Sequence, residues 1–233
     1  MTKLRLLYAV AAALLAVAAP AGAVTIDDFT VADSVADLTV GSPVTGATSP
    51  LGASSSFDTR TTTVEMLTNA GVGGSTSSDI GGGAWALGNS FFVTGRAALI
   101  YLPAALATID LLTGTDGLFR FGFLGGDGAS TITIVASSAG GAESTAMFVP
   151  GMAATTIDVL FSSFIASGIG PADFSMLTSL AIIGENTVAG ADLAFDMLSV
   201  PDAVGGVIPE PATLTLLSGS LLGLALLRKR ART

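Results

Sequence analysis

The chain of 233 residues contains no Cys and no His. Structural zinc sites, disulfide frameworks, thiol nucleophiles and every Ser-His-Asp or Cys-His set are therefore excluded. Carboxylates, hydroxyls and a few aromatic rings remain. Hydrolysis of a glycosidic bond needs two positioned carboxylates. Glu65, Glu143 and Glu185 each fall in or beside a β-rich run and in no recognisable motif, so no catalytic residue and no enzyme activity are expected. A structural Ca2+ takes oxygen ligands, and Asp27, Asp28, Asp116, Asp127 and Asp196 carry them. Gly125-Gly126-Asp127-Gly128 occurs once, without the repetition of calcium β-rolls. A plain acidic surface with no metal and no cofactor is the expectation. Sugar recognition stacks rings on exposed aromatics. Trp85, behind Gly81-Gly82-Gly83, is the candidate ligand contact, and the competing expectation is that its ring packs on the edge of the fold. An ice-binding face would need a regular Thr array. Thr61-Thr62-Thr63 is contiguous, so alternate residues point to opposite faces.

Charge separates the ends from the middle. Between residues 24 and 208, three arginines (Arg60, Arg96, Arg120) stand against seventeen acids, a net charge of −14. A body this acidic, without a basic stripe, lacks the electrostatic footprint of a nucleic-acid binder and is repelled by anionic membranes.

The elements that deliver this body lie at the two ends. Lys3 and Arg5 precede an apolar run from Leu6 to Ala19, Pro20 breaks it, and Ala21-Gly22-Ala23 places small residues at a cleavage site. This is the pattern of a secretory signal peptide over residues 1–23, cut after Ala23 by signal peptidase following Sec export. At the other end stands Pro209-Glu210-Pro211, which excludes helix and holds the chain extended. A charge-free, Leu-rich run from Ala212 to Leu227 follows, as a helix slightly short of a typical hydrocarbon core and so close to membrane-spanning length. Arg228, Lys229, Arg230 and Arg232 come next and hold the tail on the cytoplasmic side. The expected topology puts the body outside the inner membrane and the tail inside.

This order of motif, apolar segment and basic cluster over residues 206–233 resembles the PEP-CTERM sorting signal of Gram-negative bacteria. The resemblance implies recognition of Pro209, Glu210 and Pro211 by an exosortase, a membrane cysteine protease-transpeptidase. It also implies cleavage near the motif and delivery to the cell surface or exopolysaccharide matrix, with Ala212–Leu227 as membrane segment and Arg228–Arg232 as retention cluster.

The middle, residues 24–205, reads as one all-β domain, a jelly-roll-like β-sandwich. Strands are expected at Val24–Phe29, Val35–Val40, Thr61–Leu67, Ser90–Thr94, Ala97–Leu102 and Leu106–Leu112. Further strands are expected at Leu118–Leu124, Thr131–Ala136, Glu143–Val149, Thr155–Phe161, Ser179–Ile183 and Asp192–Val200. Alternation puts Phe119, Phe121 and Phe123 on one face of their strand, and Ile132 and Ile134 on one face of theirs. The Ser/Thr/Gly-rich stretches 45–63 and 68–78 read mostly as loops, and Pro171–Leu177 as a short helical turn.

The body also resembles those of other PEP-CTERM proteins. It shares the opening IDDF (Ile26–Phe29), the segment Asp110–Phe121, the PADF turn (Pro171–Phe174) and the closing strand Asp192–Val200. That resemblance implies a sandwich of the galactose-binding or carbohydrate-binding-module type, closed by pairing of the first and last strands. The expected role is a structural or interaction component of the matrix. A carbohydrate-binding module with a defined polysaccharide ligand is the alternative, and a polysaccharide hydrolase or ice-binding protein a weaker one.

Overall fold

Residues 24–52, 55–105, 107–111, 117–126 and 130–201 are described by the computed structural model. The expected leader with Ala21 and Ala23 lies outside the described residues. So do Pro209, Glu210, Pro211, Arg228, Lys229, Arg230 and Arg232, as well as Asp116 and Asp127. Among the described residues no helix is long and apolar enough to cross a membrane.

Alternating burial along the chain folds these residues into two antiparallel sheets. The first has the order β11 (Thr155–Leu160), β8 (Leu118–Gly126), β14 (Leu193–Val200), β6 (Ala84–Asn89), β5 (Thr76–Gly81) and β2 (Asp33–Asp37). β1 (Val24–Asp27) pairs with the second half of β14. The second sheet has the order β12 (Ile165–Ala166), β10 (Glu143–Phe148), β9 (Ser130–Ser138), β13 (Leu177–Asn186), β7 (Val93–Leu102), β4 (Thr59–Asn69) and β3 (Val44–Pro50). The body is thus a β-sandwich, with most connections passing from one sheet to the other.

The period-2 runs point as their alternation requires. Phe119, Phe121 and Phe123 are buried and meet Ile132, Ile134, Leu180 and Ile182 of the opposite sheet in one core. Each such side chain contributes roughly 1.5–3 kcal/mol by leaving water. Ring contacts extend from Phe121 and Phe123 to Phe195, and from there to Trp85.

Several expected elements differ. Residues 90–92 form a turn, not a strand, and the described part of Leu106–Leu112 contributes only the bridge of Ile109 to Leu177. Pro171–Met176 forms a turn closed by Met176 N donating to Asp173 O, with no helix, and Leu177 begins β13. The stretches read as loops overlap β3, the two ends of β4 and the first half of β5. β2 ends at Asp37 because its carboxylate accepts from Thr39 N at 2.8 Å and from Met66 N at 2.8 Å, turning the chain away from the sheet.

Each arginine of the body is paired. Arg96 meets Glu65 at 2.6 Å and Arg120 meets Asp158 at 2.7 Å, both pairs open to solvent. The hydrogen bonds from Arg120 hold the Asp158 carboxyl below its ordinary range. A depressed carboxylate stabilises the fold above the unfolded-state pKa of about 4, and that contribution is lost as pH falls through the depressed value. Screening limits an exposed pair to about 1 kcal/mol or less. Arg120→Ala is therefore expected to cost about that much at neutral pH and less in high salt, measured by urea unfolding.

The third pair crosses the core. Arg60 Nη1 donates to Asp27 Oδ2 at 2.5 Å with both side chains buried, and Nη2 donates to Val31 O at 2.7 Å. Tyr101 Oη donates to the same Asp27 oxygen at 3.0 Å. Burial, then the Asp27 charge, pushes the Tyr101 phenol well above its usual pKa. Asp27 Oδ1 accepts from Phe29 N at 2.8 Å, which fixes Phe29 at a φ of 54°. The IDDF segment is in this way a structural clasp. Ile26 and Phe29 enter the core, and Asp27 ties β1 of one sheet to β4 and β7 of the other.

Candidate functional site

Trp85 is 1% exposed and belongs to β6. The glycines before it supply a tight hairpin turn. Gly82 and Gly83 have φ of 62° and 87°. A two-residue β-hairpin needs such a positive pair. The turn sends Trp85 inward, stacked on Phe195 at 5.7 Å, with Nε1 donating to buried Ser78 Oγ at 2.9 Å. Trp85 is a core residue and reaches no surface ligand, which corrects its reading as a ligand contact.

The acids are similarly engaged. β-register places Glu65 and Glu185 on the two strands flanking Arg96, one on either side of it. The cation between them makes this a charge ladder. Glu143 accepts from Ser167 Oγ at 2.8 Å. Among the described residues no three His, Cys, Asp or Glu converge as metal ligands. Asp27 is consumed by the clasp, Asp28 accepts from Thr30, and Asp196 lies over Gly122. An open depression of about 610 Å³ on the first sheet is floored by Gly81, Ala84 and Ala86 and rimmed by Asp33, Ser34 and Asp79. Its carboxylates are held internally, Asp79 by Ser34 and Ser77, and Asp33 by Thr62.

The outer face of the second sheet carries cross-strand hydroxyl pairs, Thr45–Thr63, Thr48–Thr61 and Thr68–Thr94, at 3.1, 2.9 and 2.7 Å between Oγ1 atoms. Thr62 points inward and is buried, as its alternation requires.

The aromatic surface lies where strand-like composition suggests a strand. Phe91 and Phe92 are 76% and 51% exposed, the exposed aromatics among the described residues. They form the tip of the β6–β7 turn, with ring centroids 4.3 Å apart and planes at 68°. Phe92 has a φ of 72°. That conformation costs a bulky residue about 1–3 kcal/mol and survives only where its surroundings impose it. Those surroundings are two flanking loops. Ala70 N donates to Phe92 O at 3.1 Å and Gly190 N to Val93 O at 3.0 Å. Ser90 and Ser75 bond through both backbone and side chains. Gly71 gives Phe92 room, since a Cβ there would stand 3.2 Å from its ring, and Gly190 lies against Phe91. Val72 and Val188, on the same flanking loops, are also exposed.

Two connections further out belong to the same end of the sandwich. The β2–β3 connection exposes Leu38 and Val40, and the β10–β11 connection exposes Val149 and Met152. Residues 38–43, 70–75, 90–92, 149–154 and 187–191 contain no charged side chain. Asp192 follows the last of them and accepts from Asn89 N at 2.9 Å, and the β8–β9 connection, whose ends Gly126 and Ser130 are brought to the same end by register, carries Asp127 in its sequence. Both chain exits are at the opposite end, because Val24 pairs directly with Val200. The full length of β14 separates the two poles.

Beneath the tip the sheets close tightly. A Cβ on Gly95 would overlap both Oγ1 and Cγ2 of Thr76, and Thr76 is buried. Gly95→Ala is expected to cost about 1–3 kcal/mol by overpacking, read as a lowered thermal midpoint.

No protein-family model matches the chain, and no curated protein matches it. Among solved structures, the family 11 carbohydrate-binding module from Clostridium thermocellum in complex with a β-1,3-1,4-mixed-linked tetrasaccharide is similar at 15% identity and a TM-score of 0.43, over 81% of this chain and 100% of that one. PfGH50B is similar at 16% identity and a TM-score of 0.40, over 52% of this chain; the match spans 20% of that chain. An exo-β-agarase is similar at 11% identity and a TM-score of 0.40, over 65% of this chain and 24% of that one. At such identities and scores the likeness is one of strand arrangement, and it carries no ligand over to this chain.

Proposed function

We propose that this protein is exported, sorted by an exosortase through Pro209-Glu210-Pro211, and resides at the cell surface or in the exopolysaccharide matrix as a non-catalytic structural or interaction module. The observation that carries the reading is the ordered motif, apolar segment and basic cluster at 206–233 behind a signal-peptide pattern. The fold is compatible with it. Val24 and Val200 are paired neighbours, so the described body begins and ends at the end of the sandwich opposite the Phe91 turn. Replacing Pro209, Glu210 and Pro211 with Ala in the host is expected to hold the protein in the membrane fraction with its basic tail attached. Release equal to that of the unaltered chain would contradict the proposal.

A second reading, recognition of a matrix polysaccharide, is favoured by one observation, the ring of Phe91 open to solvent. It predicts saturable retardation of the protein by the host exopolysaccharide in affinity electrophoresis, lost in Phe91→Ala. Retardation that survives this substitution, or none at all, would remove the reading.

A further inference from the structure

We infer that the sandwich closes only when its last strand, β14, arrives, so that the body completes its fold at the end of export and not during it. The inference rests on the export reading above and adds an order of events to it.

Sheet topology sets that order. β14 stands inside the first sheet, bonded to β8 along residues 193–199, to β6 along 193–195 and to β1 along 198–200. Without it the sheet falls into β11–β8 on one side and β6–β5–β2 on the other. β1 would then have no strand partner among the described residues. The second sheet has no such dependence. Its seven strands all lie between Val44 and Asn186.

Packing follows the same division. Leu193, Phe195, Leu198 and Val200 are buried in the core that the two sheets share. The Phe195 ring lies 5.7 Å from Trp85 of β6, and 5.7 and 5.3 Å from Phe121 and Phe123 of β8. It therefore joins the aromatic rings of the two separate ribbons. Before it arrives, β11 and β8 form a two-stranded ribbon, and such a ribbon is marginal in water on its own. The inner face of the second sheet, with Leu99, Ile134 and Ile182, would then lack a fixed cover. The contact of β1 with β14 joins residues 24 and 200, the longest separation among the described strand pairs. Closure over that distance costs loop entropy before its contacts offset it.

The order suits both ends of the chain. Val24 follows the expected cut and pairs with Val200, so β1 is not drawn into a sheet while the leader still has to be removed. Eight residues separate Val200 from Pro209, at most about 30 Å of extended chain. β14 thus emerges as the apolar run 212–227 enters the membrane.

The test compares residues 24–201, which hold both sheets and their shared core in one compact unit, with residues 24–191, which lack β14. The single Trp of the chain, Trp85, reports closure through its emission. The shorter chain is expected to emit at the solvent position and to be cut by thermolysin at least about 100-fold faster than the longer one. A synthetic peptide of residues 190–201, added in trans, is expected to restore blue-shifted emission and resistance saturably. The same peptide with Phe195→Ala is expected to need about 30-fold more, or beyond, for equal recovery. Aggregation of the shorter chain that the peptide relieves is the expected result in another form, because the peptide covers the exposed inner face. A shorter chain with the emission and resistance of the longer one overturns the inference. So does a shorter chain that no concentration of peptide recovers, or a recovery indifferent to Phe195→Ala. Leader and tail are absent from the measurement, so its failure leaves the sorting proposal standing, and failed sorting leaves a measured closure by β14 standing.

Discussion

Asp27→Ala is expected to lower the unfolding free energy by about 3–5 kcal/mol, more than any exposed substitution in the body. The carboxylate is buried beside an equally buried Arg60 guanidinium, and it accepts from Arg60, Tyr101 and Phe29. Removing it strands a cation in the core with Val31 O as its remaining hydrogen-bonded partner. Arg60 Nε is already without a partner, so the guanidinium has no reserve to draw on. The first strand would also lose its tie to the opposite sheet. Urea unfolding of residues 24–201 measures the loss. Arg60→Met in the same chain is expected to restore part of it, because the penalty comes from the orphaned charge rather than from the missing pair. A cost below about 1 kcal/mol for Asp27→Ala would mean that water reaches Arg60 and that the clasp is not a buried ion pair.

The second large effect belongs to Trp85. Its removal as Trp85→Ala is expected to cost about 3–5 kcal/mol, since the ring is buried against Phe29 and Phe195 and its Nε1 serves Ser78. Trp85→Phe keeps a ring on Phe195 and is expected to cost about 1–3 kcal/mol, mostly from leaving the buried Ser78 hydroxyl unserved. Because the chain has one Trp, its fluorescence reports this site alone. Emission is expected to be blue-shifted and shielded from acrylamide, and to move to the solvent position on unfolding. A solvent-like emission maximum in the folded protein, with a Trp85→Ala variant of unchanged stability, would put the ring back on the surface as a ligand contact.

The sandwich is legible where large apolar side chains alternate. Phe119, Phe121 and Phe123, and Ile132 and Ile134, reveal their strands and their inward face without any structure. Pairing of the first and last strands, implied by resemblance, is present as Val24 against Val200. β5 escapes the pattern because its inward positions include Thr76 and Ser78, small polar residues whose hydroxyls bond Asn89 and Trp85 inside the fold. β6 is hidden by the positive-φ glycines before it, because glycine makes a rigid hairpin turn as readily as a loose loop.

The loop pole is obscured for the opposite reason. Ser90-Phe91-Phe92-Val93 has strand-like composition, and neither Gly, Asn nor Asp marks the positive φ at Phe92. That conformation is imposed by the neighbouring loops at Ala70 and Gly190, contacts remote in sequence. Asp27 is hidden in the same way. Its burial follows only from Arg60 and Tyr101 arriving beside it from the other sheet.

The central claim is that the chain is delivered outside the inner membrane and processed at its motif. Intact mass of the protein recovered from the extracellular fraction of its host tests it most directly. The account predicts a species beginning at Val24 and ending near Pro209–Pro211. A species that retains Arg228–Thr233 would contradict it and leave a β-sandwich fixed at the membrane by its own tail.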